Sequence, residues 1–185
     1  MSLILFGGSR ALAPDQFPLA EVVARIQDDG QVVRVGCAIG ADRLVIQAAI
    51  RQPALLSVFA AFSRSGSGAW AGSAVEAVRQ AEAAGAQVEY LAGGALNVPL
   101  VGRLMGRSRV AAAGCAASVF FLSSPSSRGS LAVAGMAATW RQPVFAFCAD
   151  VPQSPRAMVG RWFPSRFADF PCWRWQPAQS GFSRF

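Results

Sequence analysis

From residue 3 to about residue 149, short apolar runs alternate with segments of helical periodicity, which is the pattern of a parallel sheet with helices packed on it. The strand-like runs are residues 3–7, 32–35, 55–62, 88–91, 118–122 and 144–147. All are short and read as apolar on both faces, as strands buried between two helical layers must be. Helical spacing of apolar residues marks 17–28, 41–51, 74–84, 98–113 and 131–140, with Gly30, Pro53, Gly85, Gly114 and Pro143 as stops. The expected architecture is α/β: one doubly wound, mostly parallel sheet of about six strands with helices on both faces. With 185 residues, 53% of them hydrophobic, the chain can bury one substantial core and has little room for a second. Residues 1–150 are expected to form that domain and residues 151–185 a C-terminal extension.

Three turns in this pattern are built from small residues, and each follows a strand: Gly7-Gly8-Ser9-Arg10, Gly36-Cys37-Ala38-Ile39-Gly40-Ala41-Asp42 and Ser126-Ser127-Arg128-Gly129-Ser130. In an open parallel sheet, ligands sit outside the carboxyl ends of the strands, so the three turns should open on one edge. Gly7 and Gly8 let the chain turn without a Cβ clash, while Ser9 offers a hydroxyl and Arg10 a charged fork. Gly129 and Ser130 open a helix whose first N–H groups have no intrahelical partner. Together these groups describe an anion site, with phosphate as the expected anion. A glycine-rich strand-to-helix turn also serves packing alone, so the inference rests on three such turns and not on any one.

The charge balance points the same way. Seventeen basic residues stand against ten acidic ones, for a net charge of +7 and a pI near 10.9, and every basic residue is Arg. A guanidinium grips phosphate or carboxylate with two parallel bonds, so polyanions are the expected partner class. With no His and no Lys there is no histidine general base, no Walker lysine and no Schiff-base lysine, which closes most hydrolase and kinase mechanisms. No catalytic residue and no cofactor are assigned on this reading. Cys37, Cys115, Cys148 and Cys172 are far apart and show no C-x-x-C spacing, so they read as reduced core thiols of a cytoplasmic protein, and no metal is expected. The first six residues lack a basic leader and the longest apolar stretch, 110–122, is too short to span a bilayer, so neither export nor a membrane is expected.

The ordered motifs Gly8-Ser9-Arg10, the 36–42 turn, Arg107-Ser108-Arg109-Val110-Ala111-Ala112-Ala113-Gly114 and Ser127-Arg128-Gly129-Ser130-Leu131, followed by Gln142-Pro143-Val144-Phe145-Ala146, resemble those of the Rossmann-like domain of the DNA-processing protein A (DprA, or Smf) family. That domain belongs to the SLOG superfamily, which also includes the lonely-guy phosphoribohydrolases. The resemblance covers roughly residues 3–147. It implies a Rossmann-like fold, binding of single-stranded DNA, recombinase loading and a homodimer. It further implies that Arg10 contacts phosphate after the first strand, that Ser127, Gly129 and Ser130 form the last phosphate cradle, and that Arg107 and Arg109 form a basic rim; Gly8, Ser9 and Arg128 join the expected phosphate site from the turns themselves. Asp42 closes the second glycine motif with Gly36 and Gly40, where it would hold the turn or a ribose. The chain departs from the family in showing neither the N-terminal helical domain nor the C-terminal winged helix, in lacking the acid usual after the fourth strand, and in placing Ser108 where the family has asparagine between two arginines. Leu131-Ala132-Val133-Ala134 also holds no counterpart of the lonely-guy glutamate. Recombinase loading and hydrolysis of the lonely-guy type are therefore not carried over.

Two further segments carry signals. Gly66-Ser67-Gly68-Ala69-Trp70-Ala71-Gly72 has the look of a dinucleotide turn, but such a fingerprint opens the first βαβ unit and this one opens the third. It reads as a mobile rim loop whose Ser65, Ser67 and Ser73 add hydroxyl donors. After residue 150, arginines and aromatics crowd together, among them Trp162, Phe163, Phe167, Trp173, Trp175, Phe182 and Phe185, with no sustained period of 2 or 3.6, so irregular packed structure is expected. Trp162 and the Trp173-Arg174-Trp175 run interleave charge with flat rings as single-strand stacking platforms do, or else the rings cover the open sheet edge or a dimer contact. The leading functional reading is non-catalytic binding of a nucleotide or single-stranded nucleic acid, DNA or RNA, through its phosphates. Its rivals are a nucleotide- or nucleotide-sugar-processing enzyme recruiting Asp42 or Asp15, and a structural subunit of a larger nucleoprotein or protein assembly.

Overall fold

The computed structural model describes residues 1–91, 97–155 and 159–178. In chain order the elements are β1 (Leu3–Gly8), α1 (Leu19–Asp28), β2 (Val32–Val35), α2 (Ala41–Ala49), β3 (Leu56–Ala60), α3 (Val75–Ala83), β4 (Gln87–Tyr90), α4 (Leu100–Ala112), β5 (Ala117–Phe121), α5 (Arg128–Thr139), β6 (Val144–Phe147), β7 (Gly160–Phe167) and β8 (Phe170–Pro177). They build one eight-stranded sheet in the order β4-β3-β2-β1-β5-β6-β8-β7. The first six strands are parallel, and β8 runs antiparallel to both β6 and β7.

Alternation along the strands sorts the core into two layers. Ile4 and Phe6 of β1, with Val33 and Val35 of β2, face Val22, Val23, Val45, Ile46 and Val78 of α1, α2 and α3. Leu5 and Phe120 face Ala111, Ala112, Leu131 and Ala134 of α4 and α5 on the other side. Successive βαβ units thus run outward from β1 to β4 beneath α1–α3, and the chain returns under α4 to place β5 on the other side of β1. The strand order reverses between β1 and β5, and that is where an open α/β sheet leaves a crevice at its carboxyl edge.

The fold is the expected doubly wound α/β sheet, with boundaries set by local chemistry. The first helix begins at Leu19 because Pro18 occupies its N-cap, and α4 begins at Leu100 because Pro99 does the same. Strand β4 is half exposed in alternation, since it forms one edge of the sheet and has a single strand neighbour.

The tail corrects the expectation of irregular structure. Residues 160–177 form a hairpin that extends the sheet past β6, raising about six strands to eight. Its connection is Ala168-Asp169, both at positive φ (49° and 67°), the signature of a two-residue type I′ turn. Pro164 sits in β7, the outermost strand, where a missing N–H costs no ladder bond. Trp162 and Trp175 pair across the hairpin, their rings 5.4 Å apart at 64°, and both are buried in the layer beneath α5. Phe182 and Phe185 lie outside the described residues. No helix among the described residues is long and apolar enough to cross a membrane.

Because Trp175 fills a packed layer while Arg174 is exposed, its guanidinium over the Phe145 ring, the two substitutions should differ sharply. Trp175→Ala should lower unfolding free energy by about 3–5 kcal/mol, and Arg174→Ala by less than about 1 kcal/mol, as read by urea denaturation.

Candidate functional site

The carboxyl ends of β1 and β5 meet where neither backbone can be moved aside. Gly8 lies opposite Phe121, and a Cβ at Gly8 would overlap the Phe121 carbonyl and press on Ala41 of α2. Ser9 then turns the chain. Its N–H donates to Phe121 O at 2.9 Å, and its carbonyl accepts Ala41 N–H at 3.0 Å. Gly40, at φ 74°, makes that approach possible, because a Cβ there would run into the Ser9 and Arg10 carbonyls.

The serine hydroxyls lock these turns together. Ser123 N–H donates to Ser9 Oγ at 3.0 Å, Ser9 and Ser127 hydroxyls lie 2.6 Å apart, and Ser127 Oγ donates to Ser124 O at 2.9 Å. Ser127 has one proton and spends it on Ser124, so Ser9 is the donor in the hydroxyl pair. Neither hydroxyl then has a proton left for an anion. The donors that remain free are backbone groups: in α5 the first intrahelical acceptor serves Leu131 N–H, bonded to Ser127 O at 3.0 Å, so the N–H groups of Arg128, Gly129 and Ser130 have no helical partner. Helix α2 differs, since Ala41 N–H is taken by Ser9 O and Arg43 N–H by Ala38 O.

Between α4 and α5 these groups border a cleft of about 600 Å³. Its mouth carries the exposed Arg10, Arg128 and Gly129, with Ser130 buried in the lining and Trp70 in one wall, and its floor is apolar, from Leu5, Phe120, Leu104 and Met105. Arg10 and Arg128 are exposed and make no ion pair among the described residues.

The residues expected at the site therefore divide. Gly8, Ser9, Arg10, Asp42, Arg107, Ser127, Arg128, Gly129 and Ser130 line the cleft. Gly36, Gly40 and Arg109 do not. Gly36 serves close packing, because a Cβ on it would overlap the Arg107 guanidinium. Arg109 is exposed two residues beyond Arg107, which on a 3.6-residue helix turns it away. In the tail, burial of Trp162 and Trp175 leaves neither ring free for a base to stack on. Trp173 is half-buried and donates from Nε1 to Cys148 O at 3.2 Å, so only Arg174 of that group is exposed.

Arg107 is not a free rim cation either. Its Nη1 lies 3.4 Å from Asp42 Oδ2, and the two side chains are only 11% and 7% exposed. Asp42 Oδ2 also accepts Ala38 N–H at 3.1 Å. Burial pushes the Asp42 carboxyl above its ordinary range, opposed by the Arg107 charge and the Ala38 N–H. Burial likewise pushes up the Cys37 thiol beside this pair.

Trp70 was not among the expected residues. The loop that carries it is fastened on both sides: Arg103 Nη1 donates to Ala61 O (3.0 Å) and Gly68 O (2.7 Å), Ile39 N–H donates to Gly72 O (2.9 Å), and Ala38 and Ser73 form a β-bridge. Ser73 Oγ accepts Trp70 N–H, and Ser65 pairs with Ser63, so these serines hold the loop and do not enter the cleft wall. A single large ring inside a run of glycine, serine and alanine was the available signal.

No protein-family model matches the chain, and no curated protein matches it. Among solved structures it is similar to DNA processing protein A from Helicobacter pylori, described for its single-stranded DNA binding mode, with a TM-score of 0.60, 19% identity, and coverage of 83% of this chain and 68% of that one. It is also similar to DprA from Streptococcus pneumoniae, with a TM-score of 0.60 and 20% identity over 85% of this chain, spanning 54% of that protein. These likenesses establish a DprA-like, Rossmann-like fold.

Removing one partner of the buried pair strands the other charge. Arg107→Met should cost about 3–5 kcal/mol of unfolding free energy, and Arg109→Met under about 0.5 kcal/mol. Asp42 also sets a pH dependence. Its folded form holds the proton more tightly than the unfolded form, so stability falls as pH rises from near 3.8 through the raised value. The stability difference between wild type and Asp42→Asn should shrink or reverse over that interval in denaturant titrations at stepped pH.

Proposed function

We propose that the protein binds a nucleotide unit, free or within a single strand of nucleic acid, by its phosphate at the carboxyl edge of the sheet, without turning it over. The observation that carries this reading is the meeting of unpaired α5 N–H groups with the exposed guanidinia of Arg10 and Arg128 at the mouth of one cleft. A helix N-terminus and two planar cations together favour a dianionic oxygen cluster over a carboxylate of single charge.

Two further features support a nucleotide over inorganic phosphate. The cleft continues past the cationic mouth onto the apolar floor of Leu5, Leu104, Met105 and Phe120, which suits a sugar and base attached to the phosphate. The H. pylori protein of this fold binds single-stranded DNA. The absence of His and Lys from the sequence, and the engagement of Asp42 by Ala38 and Arg107, favour binding over catalysis.

Phosphate contacts release counterions, so affinity for a single-stranded oligonucleotide should fall with salt by about 0.7 log units per log unit for each contact. Arg10→Ala and Arg128→Ala should each weaken binding and reduce that slope by about 0.7, while Arg109→Ala leaves both unchanged. Fluorescence anisotropy across a salt series reads all four proteins. Salt-insensitive binding, or slopes untouched by Arg10→Ala and Arg128→Ala, would refute the phosphate reading.

A further inference from the structure

Trp70 lines the cleft, yet its one polar atom is turned into the loop. The indole Nε1 is buried and has no hydrogen-bond partner among the described residues. It lies against Gly72, where a Cβ would stand 2.7 Å from Nε1 and 3.3 Å from Cδ1. The residue as a whole is only half-buried, so what it offers to its surroundings is the carbon surface of the ring. A buried indole N–H normally finds a partner, and leaving one without costs stability. The fold carries that cost and shows the cleft an aromatic surface with no polar group on it.

The loop also fixes this ring in place and leaves it without a companion. Ser73 holds the Trp70 backbone from both sides, accepting its N–H on Oγ at 2.9 Å and donating its own N–H to Trp70 O at 2.8 Å. The placement is thus made before a ligand arrives, which lowers the cost of binding. None of the ring pairs or arginine–ring contacts among the described residues includes Trp70. Arg10 is nonetheless a neighbour, since its Nη1 lies 3.4 Å from the same Cβ position on Gly72. A phosphate held by Arg10 is therefore held beside an indole that no other side chain covers.

A fixed, unpaired aromatic surface suits a flat π-system, and in a nucleotide the flat group is the base. Resting on the phosphate-binding reading above, we infer that the base of the bound nucleotide stacks on Trp70, so that the cleft recognises the flat face of the base and not its hydrogen-bonding edge. Every base has such a face, so the site accepts all four. The ligand chemistry, a base joined to a phosphorylated sugar, occurs both in free nucleotides and in a single strand.

The test titrates the full chain by calorimetry with ribose 5-phosphate, the four ribonucleoside 5′-monophosphates, and a single-stranded oligonucleotide beside its abasic counterpart. Wild type should bind the monophosphates roughly five- to 150-fold more tightly than ribose 5-phosphate, the span of one stacked base, with the four within about tenfold of one another. In Trp70→Ala that margin should shrink to within about threefold, with ribose 5-phosphate binding unchanged, while Trp70→Phe keeps most of it. The emission that wild type has and Trp70→Phe lacks should be quenched by AMP and not by ribose 5-phosphate, a readout that stands even where Trp70→Ala does not fold. A base margin confined to the monophosphates makes a free nucleotide the ligand, and one that favours the intact over the abasic oligonucleotide makes it a strand; both support the stacking. Equal binding of ribose 5-phosphate and the monophosphates by wild type overturns the stacking and leaves the phosphate reading intact. An equal loss on every probe in Trp70→Ala makes Trp70 structural and overturns it too, as does a preference above about a hundredfold for one base, which marks recognition of its edge. Failure of every phosphorylated probe to bind refutes both readings.

Discussion

The buried pair of Asp42 and Arg107 joins the two helical layers at the edge where the site opens. Asp42 belongs to α2, on one face of the sheet, and Arg107 to α4, on the other, and they meet above Gly36 at the end of β2. Three local features are needed for that contact. Gly36 must lack a side chain, Gly40 must hold a positive φ so that α2 starts against the Ser9 carbonyl, and α4 must come close enough for a guanidinium to pass over the strand end. Much of the Coulombic gain of such a pair offsets the cost of removing both charges from water, so its contribution is to geometry more than to net stability.

That geometry explains why two helix N-termini at one edge have different chemistry. The start of α2 is largely spent on the fold: its Ala41 and Arg43 N–H groups go to the Ser9 and Ala38 carbonyls, and an aspartate, Asp42, stands in its first turn. The start of α5 is left open because Ser127 turns its hydroxyl inward to Ser124 and accepts from Ser9, tying the loop in place without covering the first turn of the helix. The serines are thus the frame of the anion site and the backbone is its donor surface. The same cleft is lined by an acidic side chain, Asp42, held by Arg107, and by the exposed cations Arg10 and Arg128.

The layer order was legible in the sequence because buried parallel strands show as unbroken apolar runs and the helices as 3.6-residue periodicity, two signals that do not interfere. The hairpin was hidden for three physical reasons. Its strands bury rings on both faces, with Trp162 on one and Phe167 on the other, so no polar alternation marks it. Pro164 argues against a strand unless that strand is known to be outermost. Its turn is Ala-Asp, where Asn-Gly would have signalled two positive φ angles. At the site, motif order found the residues that line the cleft but could not separate Arg107 from Arg109, because which arginine faces inward depends on the rotation of α4 against the sheet. Nor could it show that the serine protons were already committed.

The Arg-only composition also takes on a different meaning once side chains are placed. Read as a total, it suggests a uniformly basic surface, yet three arginines act inside the protein as cross-links. Arg34 Nη1 reaches Ala113 O at 2.8 Å and Ala111 O at 3.4 Å to close the end of α4, Arg103 bridges Ala61 and Gly68 to hold the Trp70 loop, and Arg107 clasps Asp42. A planar fork with several fixed donors can satisfy carbonyls on two segments at once, which an ammonium on a flexible stem does less well. Helix α4 is thereby fastened to β2, to the loop after β3 and to α2 by guanidinium groups, although it buries few residues of its own: Ser108, Ala111 and Ala112. The cleft wall that α4 supplies owes its position to those polar ties more than to hydrophobic burial. Positive potential at the mouth accordingly comes from Arg10 and Arg128, which make no ion pair among the described residues.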